Sequence, residues 1–265
     1  MTTRPLEGKR VIITRPEEQA GEMAHATREL GGVAVLIPMV RILPAEDTAF
    51  CDLALRELKT TDAVAFMSAN AVRFTMDRVT AIGLAHTTWE GREVYAVGSK
   101  TADTARRYGL SVTVVPGEFS GAGLATALSE RSLKGRRVLL PRSDIGRDDV
   151  LNSLTAAGAE VVPVVVYRTV GPADASARLM RQEVLKGGSA IITFASPSAV
   201  RNFGGLFSAE ELCVHGPRMT IAAIGATTQE AITALALPVQ IVAKEATSGG
   251  LIASVAAYVQ SQSPP

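Results

Sequence analysis

The stretch Asp62–Phe74, DAVAFMSANAVRF, and its echo Ser189–Phe203, SAIITFASPSAVRNF, decide how this chain is read. Each opens as an apolar strand, Ala63–Met67 in the first copy and Ala190–Phe194 in the second. Each then reaches a short hydroxyl-bearing turn, Ser68-Ala69-Asn70 or Ser196-Pro197-Ser198, and continues through Ala-Val-Arg into helical spacing. A polar turn between a buried strand and a helix gathers backbone N–H groups and hydroxyls at one place, which suits an anionic ligand. Two copies predict two such places.

Outward from these stretches the chain alternates strand and helix. Arg10–Thr14 (RVIIT) reads as a buried strand, 17–30 as a helix stopped by Gly31-Gly32, and Val33–Ile37 as the next strand. Pro38 to Pro44 is extended and apolar and reads as a crossover between domains. Residues 47–58 read as a helix with Asp47 as N-cap, 137–140 and 160–167 as strands, and 198–206 as a helix. Gly117–Gly123 reads as a loop before a helix over 124–131, and Thr247–Gly250 as a loop before a final helix over 251–259. Residues 260–265 read as a frayed tail. This alternation predicts an α/β protein with parallel sheets and right-handed crossovers.

The motifs recur at one offset. Arg15, after RVIIT, returns as Arg142 after RVLLP, 127 residues on. Gly98 in YAVGSKTADTA returns as Gly225 in IAAIGATTQEA, and Leu124 as Leu251, again 127 apart; Ser68 and Ser196 are 128 apart. Such self-similarity marks an internal duplication. All the repeated polar turns fall at the carboxyl ends of strands, where open α/β sheets bind their ligands. The duplication therefore predicts two similar lobes facing one cleft, although shared helix-start chemistry alone would also favour Ser, Thr and Gly there.

Composition narrows the classes. With 265 residues the chain can form two domains, and 47% apolar against 20% charged residues excludes a disordered protein. Only 5% is aromatic, and the apolar residues are mainly aliphatic, as in parallel sheets. A net charge of +1 argues against a dedicated nucleic-acid binder. Cys51 and Cys213 form no CxxC and read as reduced thiols of a cytoplasmic protein, with no metal site expected. His25, His86 and His215 show no ligand spacing, and no GxGxxG or P-loop spacing follows a strand. The opening MTTRPLEGKR has no apolar h-region, so no secretory signal is expected, and no run is long enough for a membrane span.

The strand-end arginines, FMSANAV with FASPSAV, VGSKTA with IGATT, the two SGxxL and SGGL loops and the strand ending VVVYRT together resemble the uroporphyrinogen-III synthase family from Arg10 to Val255. The resemblance implies two flavodoxin-like parallel-sheet domains joined by a two-stranded linker. It implies a discontinuous first domain, 1–38 plus 169–265, a second domain, 39–168, and crossovers near 39–44 and 166–170. It also implies the reaction: hydroxymethylbilane, a linear tetrapyrrole with acetate and propionate side chains, closes to uroporphyrinogen III with inversion of its last ring and loss of water. No metal or organic cofactor is implied. A monomer is expected, with transient handover of substrate from hydroxymethylbilane synthase and no nucleic-acid or membrane partner. The alternative is a two-lobed small-molecule-binding or regulatory relative without catalytic activity.

The same resemblance singles out Tyr167 as proton donor; a packed tyrosine bonding a carbonyl is the plainer reading. Arg15 and Arg142 suit bidentate grip of carboxylates, or ion pairs with acids such as Glu17 or Asp144. Ser68, Ala69, Asn70, Ser99, Lys100, Thr101, Ser143, Ser196, Pro197, Ser198, Thr227 and Thr228 lie at strand ends or helix starts, where capping and carboxylate binding coexist. Ser120, Gly121 and Ser248 fit the same description in the Gly-rich loops, and Lys244 adds a cation nearby.

Overall fold

The computed structural model describes residues 4–114, 133–146, 148–187 and 189–262. The chain divides into two compact units, Met1–Arg41 with Val170–Pro265 (unit 1), and Ile42–Thr169 (unit 2).

In unit 1, strands β1 (Arg10–Ile13), β2 (Val33–Leu36), β9 (Ile191–Phe194), β10 (Thr220–Ala223) and β11 (Ile241–Val242) form a parallel sheet in the order β11-β10-β9-β1-β2. In unit 2, β3 (Arg41–Pro44), β4 (Ala63–Phe66), β5 (Glu93–Ala96), β6 (Val112–Val114), β7 (Arg137–Ser143) and β8 (Glu160–Val170) run β3-β8-β7-β4-β5-β6. Matched at the repeat offset, five strands of each sheet read second-first-third-fourth-fifth, the order of doubly wound folds with a switch point, and the unit 2 sheet adds β3 at the edge beside β8. The registers match as well: Val11 faces Ile191 and Val138 faces Ala63, while Arg10 faces Val33 and Arg137 faces Glu160. Each sheet thus takes its first two repeat strands from one half of the sequence and the rest from the other.

Both faces of these sheets are covered, so strand residues are apolar throughout rather than alternating. Along β4, Val64 and Phe66 pack with Leu55, Val72 and Trp89, whereas Ala63 and Ala65 pack on the other face with Tyr95, Leu140 and Leu154. In unit 1, Val11 and Ile13 pack against Met23 of α1 (Gly21–Glu29) and Leu251 and Val255 of α10 (Ser248–Gln262). Fully burying each such side chain contributes about 1.5–3 kcal/mol. Helices α5 (Asp149–Ala156) and α6 (Asp174–Leu185) follow β7 and β8 in the chain. No helix among the described residues is long and apolar enough to cross a membrane.

Several boundaries differ from expectation. Residues 17–19 form a separate 3-10 turn before α1. The N-cap of α2 (Ala49–Arg56) is Thr48, while Asp47 Oδ1 accepts from the Ala49 N–H at 2.9 Å. Strand β7 runs through Arg142 and Ser143 because β8 is long enough to pair with it. Thr247–Gly250 is mostly not a loop: α10 begins at Ser248 and continues to Gln262, so the tail is helical that far. Gly250 is required by a close approach, since a Cβ there would lie 2.4 Å from the Glu245 carbonyl oxygen. An unexpected helix, Ala209–His215 (α8), starts with a Ser208/Glu211 capping box and ends on His215. The expected loop 117–123 and helix 124–131 lie outside the described residues, as do Ser120 and Gly121.

Candidate functional site

In unit 2 the parallel strands β7, β4 and β5 bring their carboxyl ends side by side. Helix α3 (Ala69–Ala81) starts directly after β4, with Ser68 as N-cap: its Oγ accepts from the Ala71 N–H at 3.1 Å. Ala69 and Asn70 occupy the first turn, whose N–H groups find no acceptor within a helix. Helix α4 (Ser99–Arg107) starts after β5 on Gly98, whose φ of 83° lies in the left-handed region a side chain would strain. Ser99 and Lys100 are exposed there, and Thr101 is buried.

Tyr167 reaches this rim through a β-bulge. Arg142 pairs with Val165, but Ser143 pairs with Tyr167, so Val166 is the extra residue. Regular alternation would put Tyr167 on the face of Val161, which packs with Leu140 and Leu154. The bulge instead turns it to the face of Val162, Val164 and Val166. There its ring stacks on Phe74 of α3, centroids 5.6 Å apart and planes 18° off parallel. Its hydroxyl lies 3.3 Å from Ser68 Oγ.

The neighbouring polar groups are already engaged. Ser143 Oγ donates to Asp144 Oδ1 at 2.9 Å and accepts from the Ile145 N–H at 3.2 Å. Asp144 also accepts from the Thr169 N–H at 3.0 Å, while its own N–H donates to the Tyr167 carbonyl at 3.1 Å. This knot pins both sides of the bulge. Arg142 donates to Asp148 Oδ1 at 2.7 Å and to the Gly146 carbonyl, rather than pairing with Asp144.

Unit 1 has a comparable rim at the ends of β1, β9 and β10. Ser196 caps α7 (Pro197–Gly204) by accepting from the Ala199 N–H at 3.3 Å, and its Oγ lies 3.1 Å from Ser198 Oγ. Pro197 sits at the helix start, where its missing N–H costs nothing. Helix α9 (Ala226–Thr233) begins after β10, with Thr227 exposed and Thr228 buried. Arg15, just beyond β1, donates to Ser248 Oγ at 3.0 Å and to Gln19 Oε1 at 3.1 Å. These partners are neutral, and Glu17 is not among its hydrogen-bond partners. Desolvation lowers the Arg15 pKa, with the charge of Glu22 opposing it. Ser248 is buried at the first position of α10 rather than exposed in a loop, and Lys244 is exposed.

Sequence reasoning missed Phe74, Gln19 and the bulge at Val166, and it offered Asp144 as an ion-pair partner of an arginine where it ties Ser143 to Thr169. Phe74 stands inside the opening stretch, yet nothing in the sequence says that a distant tyrosine will stack on it. Among the described residues no group of three or more His, Cys, Asp or Glu could hold a metal ion. Chemically, the unit 2 rim offers one phenol with a hydroxyl neighbour, and both rims offer helix-start N–H groups and guanidinium donors suited to carboxylates.

A family model described as uroporphyrinogen-III synthase HemD matches residues 21–253. The porphyrin biosynthesis protein HemD of Ruminiclostridium josui is 26% identical over 200 residues, covering 76% of this chain and 40% of that longer protein. The chain thus spans under half of that relative. The uroporphyrinogen-III synthase of Synechococcus elongatus is 28% identical over 264 residues, 96% of this chain and 97% of the relative. In fold, the chain is similar to a mutant uroporphyrinogen III synthase from the extremely thermophilic bacterium Thermus thermophilus (TM-score 0.62, 19% identity, covering 96% of this chain and 100% of that one). It is likewise similar to the synthetase from Helicobacter pylori 26695 (TM-score 0.61, 16% identity, 94% and 99%). With the family model spanning most of its length, the chain belongs to the uroporphyrinogen-III synthase family.

Proposed function

We propose that this chain is itself a uroporphyrinogen-III synthase, a cyclising hydro-lyase that closes hydroxymethylbilane to uroporphyrinogen III with inversion of ring D and loss of water. The observation that carries the reading is the phenol of Tyr167, set by a bulge beside the N-cap hydroxyl of Ser68 in a chain of this family.

The hydroxyl on ring A leaves as water more readily when a proton is delivered to it. Tyr167 is the donor in this reading, and a hydrogen bond from Ser68 Oγ stabilises the phenolate left behind. The resulting azafulvene cation is attacked by ring D through its substituted carbon. The spiro intermediate then breaks the bond from ring D's substituted carbon to its bridging carbon and rejoins in the inverted sense at the free carbon of ring D, whose released proton restores the phenol. Unassisted closure gives the uninverted product, so the larger contribution is to hold the chain in the geometry that leads to inversion. The first-turn N–H groups at Ser68–Asn70 and Ser196–Ser198, with Arg15, Lys100 and Arg142, bind the acetate and propionate carboxylates. Ser99, Thr101, Thr227, Thr228 and Ser248 hold those turns. The protein acts as a cytoplasmic monomer, taking its substrate by transient handover from hydroxymethylbilane synthase.

The test supplies hydroxymethylbilane generated in situ and determines the isomer formed. The expected product is isomer III at a rate above spontaneous closure. Formation of only the uninverted isomer at the spontaneous rate would overturn the proposal.

A further inference from the structure

Away from the polar rim, unit 2 contains an open cavity of about 190 Å³ between α2, α3 and β8. Its walls are Pro44, Cys51, Phe74, Ala81, Val165 and Val166, with Thr48 at one side. Val165 keeps 40% of its surface exposed although it is apolar. Burial pushes the Cys51 thiol up to about 11, so it lines the wall as a neutral group. An apolar cavity of about 150 Å³ is enough to take up a benzene ring, so this one accommodates a ring as well.

Among the described residues, one carboxylate at the cavity wall is held in no ion pair. Arg78 is committed to Asp52 through two hydrogen bonds. Arg73 lies against the Phe74 ring, 4.7 Å from its centroid. Asp77, on the cavity wall, is exposed and forms no ion pair among the described residues. An apolar chamber with one carboxylate at its wall selects a ring that carries a positive charge.

We propose that this cavity is a binding site for a small flat-ringed amine, its ring packed against Phe74, Val165 and Val166 and its ammonium group paired with Asp77. The carboxylate-rich substrate of the proposed reaction has the opposite charge, so the cavity is not a further pocket for that substrate. Phe74 is shared between the two places: its ring lines the cavity and stacks on Tyr167. An amine bound here therefore acts on the setting of Tyr167 from behind.

The test is an amide NMR titration of the full chain with tryptamine and, separately, indole-3-propionate, which carries a similar ring system with the opposite charge. Tryptamine is expected to give saturable shifts at Thr48, Cys51, Asp77, Ala81 and Val165. It is expected to bind about fivefold tighter than indole-3-propionate, the worth of one part-exposed ion pair. Asp77→Asn removes that preference, and Ala81→Phe, which fills the cavity from an exposed helix position, abolishes binding while the rest of the spectrum is kept. No saturable shifts at these residues, equal binding of the two compounds, or unchanged binding by Ala81→Phe would each overturn the proposal. Turnover does not enter these readouts, so they stand or fall separately from the catalytic reading.

Discussion

Strand β1 of unit 1 ends at Ile13, whereas its repeat counterpart β7 in unit 2 runs on to Ser143. The extension exists because β8 is eleven residues long and β2, its own counterpart, is four. The extra length carries the bulge, and the bulge presents Tyr167. The matched position in unit 1 is Val40, which is buried. Thr14, whose hydroxyl donates to the Thr193 carbonyl at 2.7 Å, is matched by Pro141, which has no donor to offer. The arginines differ too: Arg15 rests on neutral partners and Arg142 on Asp148. Two sheets that share the order of five strands thus carry different rims, one with a phenol and one, among the described residues, without. Strand order repeats, and rim chemistry differs.

The largest test concerns the shared frame. Phe66 and Phe194 are repeat counterparts, and both are fully buried. Phe66→Ala and Phe194→Ala are each expected to cost about 3–5 kcal/mol in the unfolding of their own unit, read by denaturant titration with probes in each. A cost differing severalfold between them would break the equivalence of the two frames.

Next comes an alkaline loss of stability belonging to unit 2. Burial raises Cys51 from 9.0 to about 11 and Tyr95 from 10.0 to about 12. Between these values the folded chain holds protons that the unfolded chain releases, so stability falls as pH rises from about 9. For Cys51 the loss is of order 2 kcal/mol over the interval to pH 11. Unit 1 has Arg178 and Ala222 at the matched positions, neither a thiol nor a phenol. Cys51→Ala should flatten the pH 9–11 profile of unit 2; an unchanged slope would remove the thiol as its source.

How much of this was legible follows the range of the interaction. The two turns could be read because an N-cap serine is recognised by residues next to it, and Ser68 and Ser196 both cap as their neighbours require. The strands could be read because buried parallel strands are local apolar runs. The bulge could not, since it is a mismatch between β7 and β8 that neither segment contains alone. The start of α10 departs from the expected loop because Gly249-Gly250 signals a loop and a close backbone approach equally well, and only the Glu245 carbonyl decides between them. The arginine partners depended on which acids the fold brought near: Asp148 did come near Arg142, while Asp144 was taken up by the bulge.

The two rims can be compared more finely through the arginines. Arg15→Ala, removing a guanidinium held by neutral groups, is expected to raise KM about tenfold, the value of one charge-assisted hydrogen bond. Arg142→Ala, already paired to Asp148, is expected to change KM by no more than about threefold. Steady-state kinetics that reverse this order would show that unit 2 carries the stronger carboxylate grip. The capping itself is read in stability. Ser68→Ala and Ser196→Ala should each lose about 1 kcal/mol of stability, and glycine at either position only a few tenths. Equal stability losses with a fall in turnover from Ser68→Ala beyond that from Ser196→Ala would place the added role on the tyrosine side.

The proposal that the unit 2 rim supplies the proton while the turns supply the geometry is tested most directly by Tyr167→Phe. The ring and its stack on Phe74 stay in place, and only the hydroxyl facing Ser68 is lost. Product isomers and initial rate are measured together on freshly generated hydroxymethylbilane. The expected result is a rate lowered about a hundredfold, with the enzymatic product still isomer III. Full turnover with unchanged isomer purity would contradict it.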